Sequence, residues 1–238
     1  MTSVDAVVSS VSADPAEPTA QLYDAKREIH YAKPLLRGWL HLVWFELSLV
    51  VGPLTLVFTH GAVRITAVAI YTASVSALFG ASALYHRGNW TAQWRCRLQR
   101  LDHATIFSLI AGTATPAFLL SARGIYGLVG LAAMWTLAVA ATVIHLAWMS
   151  APERLVGATF IALGWVAALA LPAVWINAGV APAVLMLVGG FLYMAGAISY
   201  HRRCPDPYPG AFGYHEVFHA YVCAAATCQY VAIAIFIA

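Results

Sequence analysis

Long apolar runs alternate with short polar connectors from Trp39 to Ala238, and this pattern predicts helices that cross a bilayer. About 20 apolar residues in helical form span roughly 30 Å of hydrocarbon. Seven runs reach or approach that length: Trp39 to Thr59, Ile65 to Tyr85, Ala104 to Leu120, Ile125 to Met149, Leu155 to Trp175, Ala181 to Tyr200 and Val217 to Ala238. The third is short and contains Pro116, and Pro53 and Pro172 also fall within or near span ends. Transmembrane helices accept proline where neighbours satisfy the freed carbonyls, so kinks are expected at these positions. The fold class that follows is an all-α membrane protein, a bundle of seven transmembrane helices.

The connectors fix an orientation. With the N-terminus in the cytoplasm, one side holds Lys26, Arg27, Lys33, Arg37, Arg87, Arg95, Arg97, Arg100, Arg154, Arg202 and Arg203, and the other holds Arg64 and Arg123. That is eleven against two, accounting for all 13 basic residues. Cytoplasmic loops carry the excess of Lys and Arg, so the N-terminus is expected inside and the C-terminus outside a cell (inner or plasma) membrane. An even number of spans would destroy the alternation. Residues 1–20, rich in Ala, Ser, Val, Pro and acids, read as a disordered tail, without the basic and apolar stretches of a signal peptide. Residues 21–38 mix Lys26, Arg27, Lys33 and Arg37 with Leu22, Tyr23, Ile29 and Tyr31, which suits either an interfacial cytoplasmic segment or a solvated tail. The transmembrane domain occupies 39–238.

Composition narrows the classes further. The chain is 61% hydrophobic and 10% charged, where a soluble domain carries about 25% charged residues. Its net charge of +3 comes without a basic stripe interleaved with aromatics, which sets nucleic acid aside as a partner. Membrane lipids are the expected partners, and no oligomeric state follows from the sequence. Cys96, Cys204, Cys223 and Cys228 have no framework spacing and suggest neither disulfides nor a cysteine metal site.

With this topology several costly polar residues converge near the cytoplasmic boundary. His86 ends the second span, Asp102 opens the third, and His215 and His219 open the seventh. Histidines at i and i+4 share one helix face, the spacing at which two imidazoles grip one Zn²⁺. Three neutral imidazoles and one water would complete a tetrahedral site with the open position that catalysis requires. His215-Glu-Val-Phe-His219 is also the H-E-x-x-H pattern of metalloproteases, and two interfacial histidines are a third reading. Glu216, offset by about 100° from His215, is expected at the aqueous boundary rather than acting as a base. Ser82 lies one turn before His86 on its face and, with Asp102, would position water beside the metal. Asp102 also has a plainer reading, as an anion at a helix N-terminus or an interfacial salt-bridge partner of nearby arginines. Glu46, about two turns into the first span, is a functional candidate by its depth, protonated, paired with His41 or His145, or simply hydrogen-bonded. His30, His60, His103 and His201 sit at span edges, and His103 is retained as a candidate because it adjoins Asp102.

Ser82-Ala-Leu-Tyr-His86, Leu101-Asp102-His103 followed by Ile110-Ala-Gly-Thr-Ala-Thr-Pro116, and His215-Glu-Val-Phe-His219 together resemble the hemolysin III family, the bacterial branch of the progestin and adipoQ receptor superfamily. Lys33-Pro-Leu-Leu-Arg-Gly-Trp-Leu-His41 resembles that family's approach to its first span. The resemblance runs from about residue 30 to the end. It implies a seven-helix bundle with Zn²⁺ held near the cytoplasmic side by His86, His215 and His219, and with Ser82 and Asp102 beside the metal. Similarity to alkaline ceramidases and adiponectin receptors implies hydrolysis of a lipid amide. The family name implies cytolysis, and membrane homeostasis is attributed to the bacterial branch. The protease reading weakens, because membrane-embedded zinc proteases use an aspartate in a Leu-Asp-Gly setting, whereas His103 follows Asp102. Three expectations result: a Zn²⁺-dependent lipid amide or ester hydrolase, a non-enzymatic homeostasis or sensor protein with structural zinc, and a cytolysin.

Overall fold

The computed structural model describes residues 22–24, 29–31, 33–122, 124–148 and 151–238. The segment expected as a tail, 1–20, lies outside these residues. Within 21–38 two three-residue strands, β1 (Leu22–Asp24) and β2 (Ile29–Tyr31), pair antiparallel with Tyr23 opposite His30. Among the described residues eight α-helices follow: α1 (Trp39–Phe58), α2 (Ala62–Arg87), α3 (Ala92–Pro116), α4 (Gly124–Ala147), α5 (Glu153–Ala168), α6 (Leu171–Ala178), α7 (Val180–Arg202) and α8 (Tyr214–Val231). They make seven spans, because α5 and α6 together form the fifth.

Proline and polarity explain where helices and predicted spans differ. The fifth span breaks at Leu169 and Ala170, just before Pro172, which lacks the N–H that an unbroken helix would bond. After Pro116 the third span continues as a π-helical stretch over Ala117–Ser121. Pro53 lies within α1, which continues to Phe58. The helix α3 begins twelve residues before the predicted span start at Ala104. Its first turns carry Gln93, Arg95, Arg97, Gln99 and Arg100, which suit a helix emerging from the hydrocarbon but not an apolar run. Thr91 caps this extension by accepting from the Trp94 N–H.

Consecutive spans pack side by side, and α8 returns to α1, so the chain closes on itself. Their outer faces carry Leu47, Val50, Leu54, Val139, Val143, Trp165, Ile176 and Phe191, the apolar skin that lipid solvates. Inside, Tyr71 and Phe79 of α2 meet Phe107 of α3, Met134 of α4 and Phe118. Small residues let α2 and α3 approach closely: a Cβ on Gly112 would stand 2.1 Å from Ser74 Oγ. The spans containing α2, α3 and α8 are the most enclosed, at 56%, 61% and 39% against 28% or less for the others. These three carry Ser82, His86, Asp102, His215 and His219.

Ahead of α1, residues 33–38 fold over the ends of α2 and α8. The amides of Leu35 and Leu36 donate to the carbonyls of Gly210 and Ala211, both at 3.1 Å, and Lys33 Nζ donates to the Arg87 carbonyl at 3.0 Å. Partial burial, together with the guanidinium groups of Arg87, Arg37 and Arg95, pulls the Lys33 ammonium below the usual lysine range.

Candidate metal centre

His86 projects from the last turn of α2, while His215 and His219 sit one turn apart at the start of α8. Their ring centroids are 4.6 Å (His86 to His215), 5.0 Å (His86 to His219) and 4.6 Å (His215 to His219) apart. One nitrogen of each ring can be chosen so that all three lie within 4.8 Å of one another. His215 Nε2 and His219 Nδ1 are buried and have no hydrogen-bond partner among the described residues. Orphaned buried nitrogens cost stability, and a shared ion removes that cost. Imidazole donors in a converging set of three, with bond lengths of about 2.0–2.1 Å, suit Zn²⁺. These three side chains could hold a metal ion.

Asp102 borders the set. Its Oδ2 is 4.0 Å from His86 Nε2, and the residue is 8% exposed. The reading of Asp102 as a helix N-terminal anion is overturned, because α3 starts at Ala92 and Asp102 lies about three turns further along. Ser82, 3% exposed, faces the Asp102 carboxyl on one side and His41 Nδ1 on the other, the latter at 2.8 Å. His41 itself stacks on His219, with centroids 3.7 Å apart and planes 9° apart.

Glu216 does not face the aqueous boundary. It is 1% exposed and ion-paired with the guanidinium of Arg37, while its Oε2 accepts the Gly213 N–H at 2.9 Å. As the third residue of α8 it thus caps that helix and takes up a buried cation together. A carboxylate so engaged does not serve the general-base role of the protease pattern.

The geometry also corrects Glu46, which lies on the exposed outer face of α1 and not against His41 or His145. His41 bonds Ser82 instead, and His145 Nε2 lies 3.2 Å from His103 Nδ1 between α3 and α4. His103 therefore belongs to a separate histidine pair rather than to the three-imidazole set. Sequence reasoning missed Arg37, and missed His41 as a neighbour of the set. The available signal for His41 was an imidazole in the first turn of a span, whereas Arg37 lies before the turn at Gly38 and shares no helix face with it.

Gly38 explains how α1 reaches the set. Its φ of +79° is the left-handed conformation that glycine adopts without penalty, and a Cβ there would stand 2.8 Å from His86 Cβ. The chain turns at Gly38, passes against the end of α2, and enters α1 with His41 already beside His219.

Comparison with known proteins gives a consistent picture. A family model described as "Haemolysin-III related" matches residues 29–230. The chain is similar to "Hemolysin-3" of Bacillus cereus, 36% identical over 98 residues, which is 41% of this chain and 45% of that protein. It is also similar to "Hemolysin-3 homolog" of Bacillus subtilis (strain 168), 29% identical over 126 residues, 52% of this chain and 56% of that protein. The chain thus spans about half the length of the curated relatives it matches.

Proposed function

The chain belongs to the haemolysin-III related family, a family of multi-pass membrane proteins, and from that premise we propose that it is a membrane-embedded, Zn²⁺-dependent hydrolase of lipid acyl amides or esters. The observation that carries this reading is the placement of a buried carboxylate and a hydroxyl, Asp102 and Ser82, beside three convergent imidazoles with orphaned nitrogens. His86, His215 and His219 would hold the ion, which when bound supplies Lewis acidity toward water and toward a carbonyl oxygen. Asp102 Oδ2 accepts the proton of the attacking water and returns it to the departing nitrogen or oxygen. The Ser82 hydroxyl fixes the direction in which that carboxylate works. The likeness to alkaline ceramidases rests on the sequence motifs and supports the amide as substrate bond. Orientation belongs to the same proposal: N-terminus and metal centre at the cytoplasmic face, C-terminus outside.

Asp102→Asn tests the chemistry. The amide preserves size and hydrogen bonding but accepts no proton, so zinc content should persist while fatty-acid release falls by about 10²- to 10⁴-fold. Ser82→Ala should lose less. Wild type that carries zinc yet releases nothing from a broad panel of N-acyl and ester lipids in liposomes would reject the hydrolase. A structural zinc is the second reading, favoured by the way the imidazoles bridge α2 and α8 while His41 of α1 stacks on His219. Zinc removal would then lower thermal stability with no activity to lose. The name of the Bacillus relatives points to membrane damage, and lysis of loaded vesicles by wild type would bring that activity to this chain.

A further inference from the structure

His41 lies outside the three-imidazole set, yet it is 3% exposed, stacked on His219 and edged by Phe79 at 4.9 Å. Its Nδ1 sits 2.8 Å from Ser82 Oγ, beside the Asp102 carboxyl. That contact is one hydrogen bond, with Nδ1–H donating to Oγ or the hydroxyl donating to Nδ1, so it engages one ring nitrogen alone. In both cases Nε2 is buried without a partner among the described residues. Leaving such a group unpaired carries a cost that a phenylalanine of similar shape would not incur.

We infer that His41 is a positioning residue of this centre: it holds the Ser82 hydroxyl in place beside the Asp102 carboxyl and keeps Nε2 available to a further hydrogen-bonding group. For the identity of that group, a water or the polar group of a lipid amide or alcohol, the inference rests on the hydrolase reading. The alignment of Ser82 does not depend on it.

Three variants divide the roles of the ring. His41→Phe keeps the stack and removes both nitrogens, His41→Asn presents an amide N–H near the place of Nδ1, and His41→Gln presents its amide near the place of Nε2. Each full-length protein is loaded with Co²⁺ and measured for metal content and visible absorption, which reports the ligand field. All three should retain metal in the wild-type ratio. The Phe and Gln variants should show an altered band shape and turnover lower by about 10- to 100-fold, as for other outer partners of metal ligands, and Asn should restore both. Metal loss in His41→Phe as complete as in His219→Ala would make His41 a ligand and overturn the assignment. So would wild-type spectra in His41→Phe, or equal spectra for Asn and Gln, a comparison that also decides the matter if the Phe variant does not fold. If wild type shows no hydrolysis, the cobalt spectra still decide the role of His41, so failure of the hydrolase reading and of this inference are distinguishable.

Discussion

Arg37 and Glu216 stand 179 positions apart in sequence and form one ion pair, with side chains only 6% and 1% exposed. The pair joins the turn before α1 to the first turn of α8, directly beside His215. It therefore ties the entry of α1 to the start of α8 beside the candidate metal centre.

Breaking this pair from one side leaves an uncompensated buried charge, which costs about 3–5 kcal/mol. Glu216→Leu and Arg37→Met are each expected to lower the thermal midpoint sharply and to loosen zinc, whereas the double variant should recover part of the loss. Thermal unfolding of the four proteins in one detergent gives the coupling. Additive losses would mean that the two groups do not act as a pair.

Wild-type protein is expected to carry close to one zinc per chain, and His219→Ala to lose most of it, since one of three protein donors is gone. Elemental analysis of both proteins after dialysis is the measurement. Full occupancy in the variant would rule out the His86, His215 and His219 set.

Gly38→Ala should be harmful for two independent reasons. The left-handed conformation costs a non-glycine residue about 1–2 kcal/mol, and the new Cβ would press on His86 Cβ at 2.8 Å and Arg87 Cγ at 3.3 Å. Gly164→Ala in α5 is the control: it is helical, meets nothing within 4 Å, and should be neutral or stabilising by about 0.5–1 kcal/mol. Equal midpoints for the two variants would show that the approach of Gly38 to His86 carries no strain.

Orientation is testable by fusion. A reporter active only in the cytoplasm should be silent at Ala238 and active within the Arg87 to Arg100 segment. Activity at Ala238 would reverse the topology and move the metal centre to the other face.

The spans were legible because hydrocarbon thickness imposes a length that composition alone reveals. The convergence of His86, Asp102, His215 and His219 was legible because alternation assigns each helix end to a side. The first turns of α3 escaped notice because hydropathy registers where a helix is apolar, not where it is helical. Glu216 was misplaced because its partner lies 179 residues away and leaves no local trace. Glu46 is expected against His41 or His145 because both histidines are assigned to the same cytoplasmic end, a criterion blind to helix face. The five residues from His41 to Glu46 amount to about 500° around the helix, which separates the two by about 140°.

The closing contacts of the centre all arrive with the final span. Leu35 and Leu36 wait for Gly210 and Ala211, Arg37 waits for Glu216, and two of the three imidazoles reside on α8. A ribosome makes the chain from the other end, so six spans enter the bilayer while a guanidinium lacks its carboxylate and the ion lacks most of its donors. Completion of the centre thereby follows insertion of the span that carries α8, and a chain without that span presents a bare charge. In pulse-chase labelling, a chain stopped at Arg203 should disappear faster than the full-length protein, and equal lifetimes would disconnect the centre from maturation.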